Sequence, residues 1–303
     1  MLKIMKENVE DLLTPNLWLA LPSEMLGTLA ITLLGCGTWI NWSESPVTNV
    51  VQVSLTFGLA VATVVWVFSH ISGGHVNPAV TTAALFTRRV SIIRGILYII
   101  AQIVGGIIGA GILYGLTPTD VQGSLGANAV TDKVTSAQGF GVELLITFVY
   151  VMAVFASQDE KRSDLNGSSP LTIGLAVVVC HLFAVPYTRA GMNPARSFGP
   201  ALIMGIWDSH WVFWVGPLVG ALLAGLLYEY IFAAGATFAG AKKCLLRTKK
   251  PRKQPEPEKA PLEEVKNDVI EIDESKIDGE KDAKPEADAE KGEAAVKEAT
   301  EKE

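Results

Sequence analysis

Six stretches of this chain, at about residues 19–40, 50–69, 94–116, 138–157, 169–187 and 211–233, are long and apolar enough to cross a lipid bilayer. A spanning helix needs about 20 predominantly apolar residues, within a range of about 17–25. Nothing else constrains the fold as strongly, because the hydrocarbon core offers no water to a free backbone N–H or C=O. The six stretches therefore predict an all-α membrane protein. The first contains Glu24, follows a sixteen-residue polar start and shows no small-residue cleavage site, so it reads as a retained helix and not a secretory signal. Gly105 with Gly109, and Gly216 with Gly220, place small residues four apart on the third and sixth stretches, a spacing that lets helix backbones approach in lipid.

The remaining polarity is concentrated at the C-terminus. Residues 254–303 hold 18 acidic and 8 basic side chains, while the whole chain carries −6, so the preceding part is about +4. The acidity is a tail property and says little about a substrate. With few large apolar residues, residues 236–303 are expected to form a basic, then acidic, disordered tail. Cys36, Cys180 and Cys244 have no zinc-type spacing and make a poor disulfide framework, so they read as small apolar residues, with Cys244 open to palmitoylation.

Basic residues set the orientation. Lys3 and Lys6 precede the first stretch, Arg88, Arg89 and Arg94 precede the third, Lys161 and Arg162 precede the fifth, and a basic run follows the sixth. By the positive-inside rule both termini are cytoplasmic, and residues 1–16 form a cytoplasmic segment. Arg189 and Arg196 break that pattern. The sequon at Asn41 then faces outward, in a loop short enough to argue against its use.

Between the long stretches lie two shorter ones that begin alike: "HVNPAV" at residues 75–80 and "GMNPARSFGPA" at residues 191–201. Glu24 opens the first long stretch and Glu143 the fourth, each about fifty residues before its Asn-Pro-Ala. The channel region of residues 17–235 is thus two similar halves, about 17–117 and 138–235. Three spans in each half force the halves into opposite orientations, an inverted repeat. Asn77-Pro78-Ala79 and Asn193-Pro194-Ala195 each read as the start of a half-length helix, with asparagine as N-cap and proline in the first turn. Two such helices entering from opposite faces would meet by their N-termini. Each end carries a partial positive charge, which polarises a neutral dipole and repels a cation.

With these residues in place the chain resembles the aquaporins of the major intrinsic protein family. The resemblance rests on "SHISGGHVNPAV", "CHLFAVPYT" and "GMNPARSFGPA" and covers about residues 17–235. It implies six spanning helices with two re-entrant half-helices, homotetramers with a pore in every protomer, and an outer constriction formed by Phe57, His181, Ala190 and Arg196. Phe57 would occlude, while His181 and Arg196 would hydrogen-bond a passing water. Relatives that conduct glycerol widen this ring and tend to carry aspartate where Ser197 stands, so the resemblance is to the water-selective members. Ala190 stands where some relatives have the cysteine that makes them mercury-sensitive. Glu24, Glu143 and His75 are implied to support the re-entrant loops.

Other classes fit less well. His70 and His75 lie five apart without a nearby thiol or carboxylate and do not make a metal site. The motifs of metalloproteases, serine hydrolases and phosphate-binding loops are missing from the sequence, so no enzyme activity and no cofactor is expected, and nothing points to nucleic acid. "RRVS" makes Ser91 a candidate phosphosite. The expected partners are water, the bilayer and cytoplasmic partners of the tail. A broader pore for glycerol, urea or peroxide, or a structural or adhesion role with little conduction, are the alternatives.

Overall fold

The computed structural model describes residues 2–42 and 48–237, the side chains of residues 2–5 excepted. Cys244 and residues 238–303 of the tail lie outside that range, as does Ser43 of the sequon. The described residues form helices α1 (Leu2–Leu12), α2 (Pro15–Gly37), α3 (Val50–Ser72), α4 (Pro78–Phe86), α5 (Ile92–Leu116), α6 (Ser136–Ser157), α7 (Ser169–Thr188), α8 (Pro194–Met204) and α9 (Val212–Leu227). A single π-helical turn, Tyr228–Phe232, continues α9. Six of these helices are long and apolar enough to span a membrane, the sixth counted through Phe232. No strand occurs among the described residues.

Local chemistry explains where the helices begin. Asn49, Ser91 and Ser168 each accept a backbone N–H of the first turn that follows, and Thr135 with Gln138 forms a reciprocal capping box. Proline occupies the first turn of α2, α4, α7 and α8, where its missing N–H costs nothing. Pro15 starts the first span four residues before its apolar run, so the span is 15–37 and not 19–40.

The packing repeats itself between the halves. Helix α2 lies against α5 as α6 lies against α9, α3 meets α7 across the centre, and the half-helices α4 and α8 touch one another. Both glycine pairs sit at these contacts. A Cβ on Gly105 would stand 2.2 Å from the Met25 carbonyl oxygen of α2, and one on Gly220 2.2 Å from that of Leu144 in α6. Large apolar side chains such as Trp66, Val179 and Leu223 point outward, which suits a lipid surround and not water.

One element departs from the sequence reading. The polar start contains α1, whose acids reach the segment between α4 and α5. Glu7 pairs with Arg88 at 2.9 Å, Asn8 Oδ1 accepts the Ile93 N–H at 3.1 Å, and Asp11 accepts from the Ser91 hydroxyl and the Arg94 guanidinium. The apolar residues at 2, 4, 5, 9, 12 and 13 carried a helical period, but the dense charge masked it.

Candidate functional site

Each Asn-Pro-Ala is held by a glutamate through one intervening peptide. Glu24, fully buried in α2, accepts the backbone N–H of His75 at 3.0 Å and of Val76 at 2.5 Å, the Ser72 hydroxyl at 2.6 Å and the Gln102 amide at 2.7 Å. Glu143, equally buried in α6, accepts the N–H groups of Gly191 and Met192, both at 2.8 Å, and the Thr188 hydroxyl at 2.6 Å. Buried carboxylates persist only where donors replace water, and the two loops supply them. His75 stays in its loop, with Nδ1 3.1 Å from the Thr81 hydroxyl and its ring edge-on to Tyr98.

The residues just before the asparagines, Val76 and Met192, have φ of +43° and +51°. The left-handed region is unfavourable for a residue other than glycine, most of all for the β-branched Val76, and persists only when surrounding bonds enforce it. Here they do. While the glutamate holds each N–H, the asparagine of the opposite half holds each carbonyl: Asn193 Nδ2 donates to Val76 O and Asn77 Nδ2 to Met192 O, both at 2.9 Å. Thr28 adds a second donor to Val76 O at 3.1 Å.

The same asparagines cap their own helices. Asn77 Oδ1 accepts the Ala79 N–H at 2.8 Å, and Asn193 Oδ1 accepts those of Ala195 at 3.0 Å and Arg196 at 3.3 Å. Capping by the oxygen and donation by the amide thus use different atoms, but one amide N–H of each asparagine is engaged across the repeat. An amide has two N–H groups: the second of Asn77 has the Tyr150 hydroxyl as its partner, and the second of Asn193 makes no hydrogen bond among the described residues. Pro78, Ala79, Pro194 and Ala195 are buried in the first turns behind them.

Phe57 of α3, His181 of α7 and Arg196 of α8 come together. The Phe57 and His181 rings stack with centroids 4.5 Å apart, and Arg196 Cζ lies 4.8 Å from the Phe57 centroid. Arg196 is 1% exposed, and its three guanidinium nitrogens have no hydrogen-bond partner among the described residues. His181 Nδ1 is 3.0 Å from the Val177 carbonyl, and its buried Nε2 has no partner among the described residues. Because a carbonyl only accepts, Nδ1 carries the proton and Nε2 of the neutral ring is an acceptor. Strong donors and an acceptor thus share one narrow space, which Asn77, Asn193, Tyr150 and Met192 also line. About 20 Å³ is open there to the centre of a water molecule. That is close to the roughly 10–15 Å³ one water needs.

Ala190, the fourth expected member of the ring, is buried with φ of +53°, and the space is bounded by its neighbours Gly191 and Met192. Ser91 is also buried: its hydroxyl donates to Asp11 and accepts the Arg94 N–H at 3.1 Å. Ser197 donates to Asn128 Oδ1 at 2.8 Å, fastening the 117–135 loop to α8. Sequence reasoning missed Gln102, Thr188, Asn128, Tyr150 and Met192. Each is a polar or apolar residue of ordinary type whose role exists only through a partner far away in the chain.

Residues 11–228 match the family model described as Major intrinsic protein. The chain is 55% identical to Aquaporin-4 of Mus musculus over 222 residues, which cover 72% of this chain and 69% of that protein. It is 44% identical to the lens fiber major intrinsic protein of Gallus gallus over 250 residues, covering 82% of this chain and 95% of that one. Among solved structures, the aquaglyceroporin from Plasmodium falciparum superposes with a TM-score of 0.64 at 21% identity, over 71% of this chain and 96% of that one, a likeness of fold alone.

Proposed function

The chain belongs to the major intrinsic protein family, and we infer that it is a passive water channel of the membrane, driven by the osmotic gradient and not an enzyme. The observation that carries this reading is the Phe57–His181–Arg196 constriction, whose unpartnered polar atoms face a space about one water wide. Water is both donor and acceptor. At the constriction it donates a hydrogen bond to His181 Nε2 and accepts N–H groups of Arg196, which offsets its lost hydration. The fixed guanidinium charge repels hydronium and other cations. Deeper in, the second amide N–H of Asn193, and that of Asn77 in competition with the Tyr150 hydroxyl, orient the water oxygen between the N-termini of α4 and α8. With both amides donating to the same oxygen, that water accepts nothing from its neighbours and points its hydrogens outward to them along the lumen axis, which interrupts a proton-conducting chain.

The supporting roles follow from this reading. Glu24, Glu143 and His75 position the two loops. Residues 17–235 form the channel as two inverted halves, with residues 1–16 and 236–303 as cytoplasmic extensions. The assembly is a homotetramer in the plasma membrane, with the tail free to engage cytoplasmic partners. Ser91 is first a helix cap, and a kinase reaches it only when α1 lifts from Arg88 and Arg94.

The test is stopped-flow light scattering on purified protein in liposomes, first with sucrose and then with glycerol gradients. Fast water efflux of low activation energy without glycerol entry supports the reading. Glycerol entry makes it a broader pore, and efflux equal to that of empty liposomes overturns conduction.

A further inference from the structure

The two halves of the repeat present different chemistry at one matched position. Seven residues beyond the glutamate that holds each loop, about two helical turns on, stand Ile31 of α2 and Tyr150 of α6. Both line the narrow space shared by the two asparagines and Arg196, so the register set by Glu24 and Glu143 carries through to the wall of that space. Tyr150 is 3% exposed, and Ile146 and Val154, one turn to either side, are buried on the same face of α6. The first half therefore offers hydrocarbon where the second offers a phenol.

That difference makes the two asparagines unequal. Each spends one amide N–H on a carbonyl of the opposite half. The second N–H of Asn77 donates to the Tyr150 hydroxyl, whereas that of Asn193 has no partner among the described residues, and Ile31 has no polar atom to offer it. A water oxygen that would accept from Asn77 must therefore displace the phenol oxygen. The competitor is covalently held on a buried ring, so it returns to the amide without losing translational freedom, as a second water would not.

We propose that Tyr150 throttles the pore: its hydroxyl occupies the Asn77 donor, so each water passes the asparagine pair against a competing hydrogen bond, and more slowly than past an apolar residue at position 150. The inference rests on the water-channel reading and deepens it. It names a residue outside both the Phe57–His181–Arg196 constriction and the two Asn-Pro-Ala turns that sets the rate of passage. Selectivity against glycerol stays with the constriction, which Tyr150 does not form.

The experiment compares full-length wild type, Tyr150→Phe and Tyr150→Leu in liposomes by osmotic water efflux per protein incorporated, and locates the lumen waters of the first two by electron cryomicroscopy. Tyr150→Phe keeps the ring and removes only the oxygen. Its unit water permeability should rise about twofold to fivefold, the size of one exchanged hydrogen bond, with glycerol still excluded. Equal flux in wild type and Tyr150→Phe, with Tyr150→Leu alone faster, makes the ring a steric wall and overturns the proposal. Slower flux in Tyr150→Phe overturns it too, because the hydroxyl would then be helping water across. The lumen waters report without conduction. A resting water bonded to Asn193 Nδ2 alone is expected in wild type, and one shared by both asparagines in Tyr150→Phe. A shared water already present in wild type overturns the proposal. If none of the three proteins conducts, the channel reading falls, and the waters decide whether Tyr150 holds Asn77.

Discussion

Phe57 and His181, which lie on different halves of the inverted repeat, stack with centroids 4.5 Å apart and ring planes 21° from parallel, under the Arg196 guanidinium. In the proposed channel, one aromatic ring from each half narrows the lumen to about a single water. Replacing His181 by glycine removes both the acceptor Nε2 and half of the stack. Glycerol permeability in liposomes should rise about tenfold or more while water permeability changes by less than about threefold. Unchanged glycerol exclusion would show that the width is set elsewhere.

Asn193→Asp keeps the oxygen that caps α8 but removes the amide that donates to Val76 O. It also puts a carboxylate where, on the proposed function, the helix ends exclude cations. A proton or sodium leak should appear in the liposomes, with water permeability reduced. Ion-tight vesicles with normal water flux would contradict the role given to the amide. Asn193→Ala loses the cap as well, at a cost of about 1 kcal/mol.

Glu24 serves four donors on three elements, so Glu24→Leu strands them in the core. A loss of about 3–5 kcal/mol is expected, large enough to prevent folding, whereas Glu24→Gln retains one acceptor oxygen and should be milder. Gly106→Ala tests the same centre by volume, because its Cβ would stand 2.3 Å from the Ala195 carbonyl oxygen at the start of α8. Thermal unfolding in detergent should rank wild type above Glu24→Gln and both above Glu24→Leu and Gly106→Ala.

Helix α1 should respond to acid. Burial alone would raise the Asp11 pKa, but hydrogen bonds from Arg94 and Ser91 outweigh it and hold the carboxyl below the ordinary 3.8. A carboxyl lowered on folding contributes stability above its unfolded value, and that stability is lost as pH falls through the lower folded value. The docking of α1 should therefore be intact at neutral pH and weaken below about pH 4. Hydrogen exchange along α1 measures this. Asp11→Asn should raise its exchange at pH 7, consistent with losing about 1.5–3 kcal/mol of charged hydrogen bonding. An equal pH response in that variant would assign the effect to Glu7 and Arg88 instead.

The two kinds of information divide along a physical line. Span number, half-helix starts and the glycine contacts were legible because length, capping and small-residue spacing are local and periodic signals. Glu24 and Glu143 could be placed in register because the repeat made each a check on the other. The docking of α1 was not legible. Its periodicity was weak, and its partners Arg88, Ser91 and Arg94 also read as charge anchors and a kinase motif.

The sequence by itself determined that this chain crosses a membrane as two inverted halves and which polar residues stand at their ends, since lipid permits few ways to satisfy a backbone. Only the tertiary structure decided what those residues do to one another. Asn77 and Asn193 grip the carbonyls on the opposite half, Val76 and Met192 are held in strained conformations by the buried glutamates, and Arg196 is left unpaired beside His181. Such contacts join residues as much as 117 positions apart, where direction and distance, and not residue type, settle whether a polar atom is used up within the protein or left open.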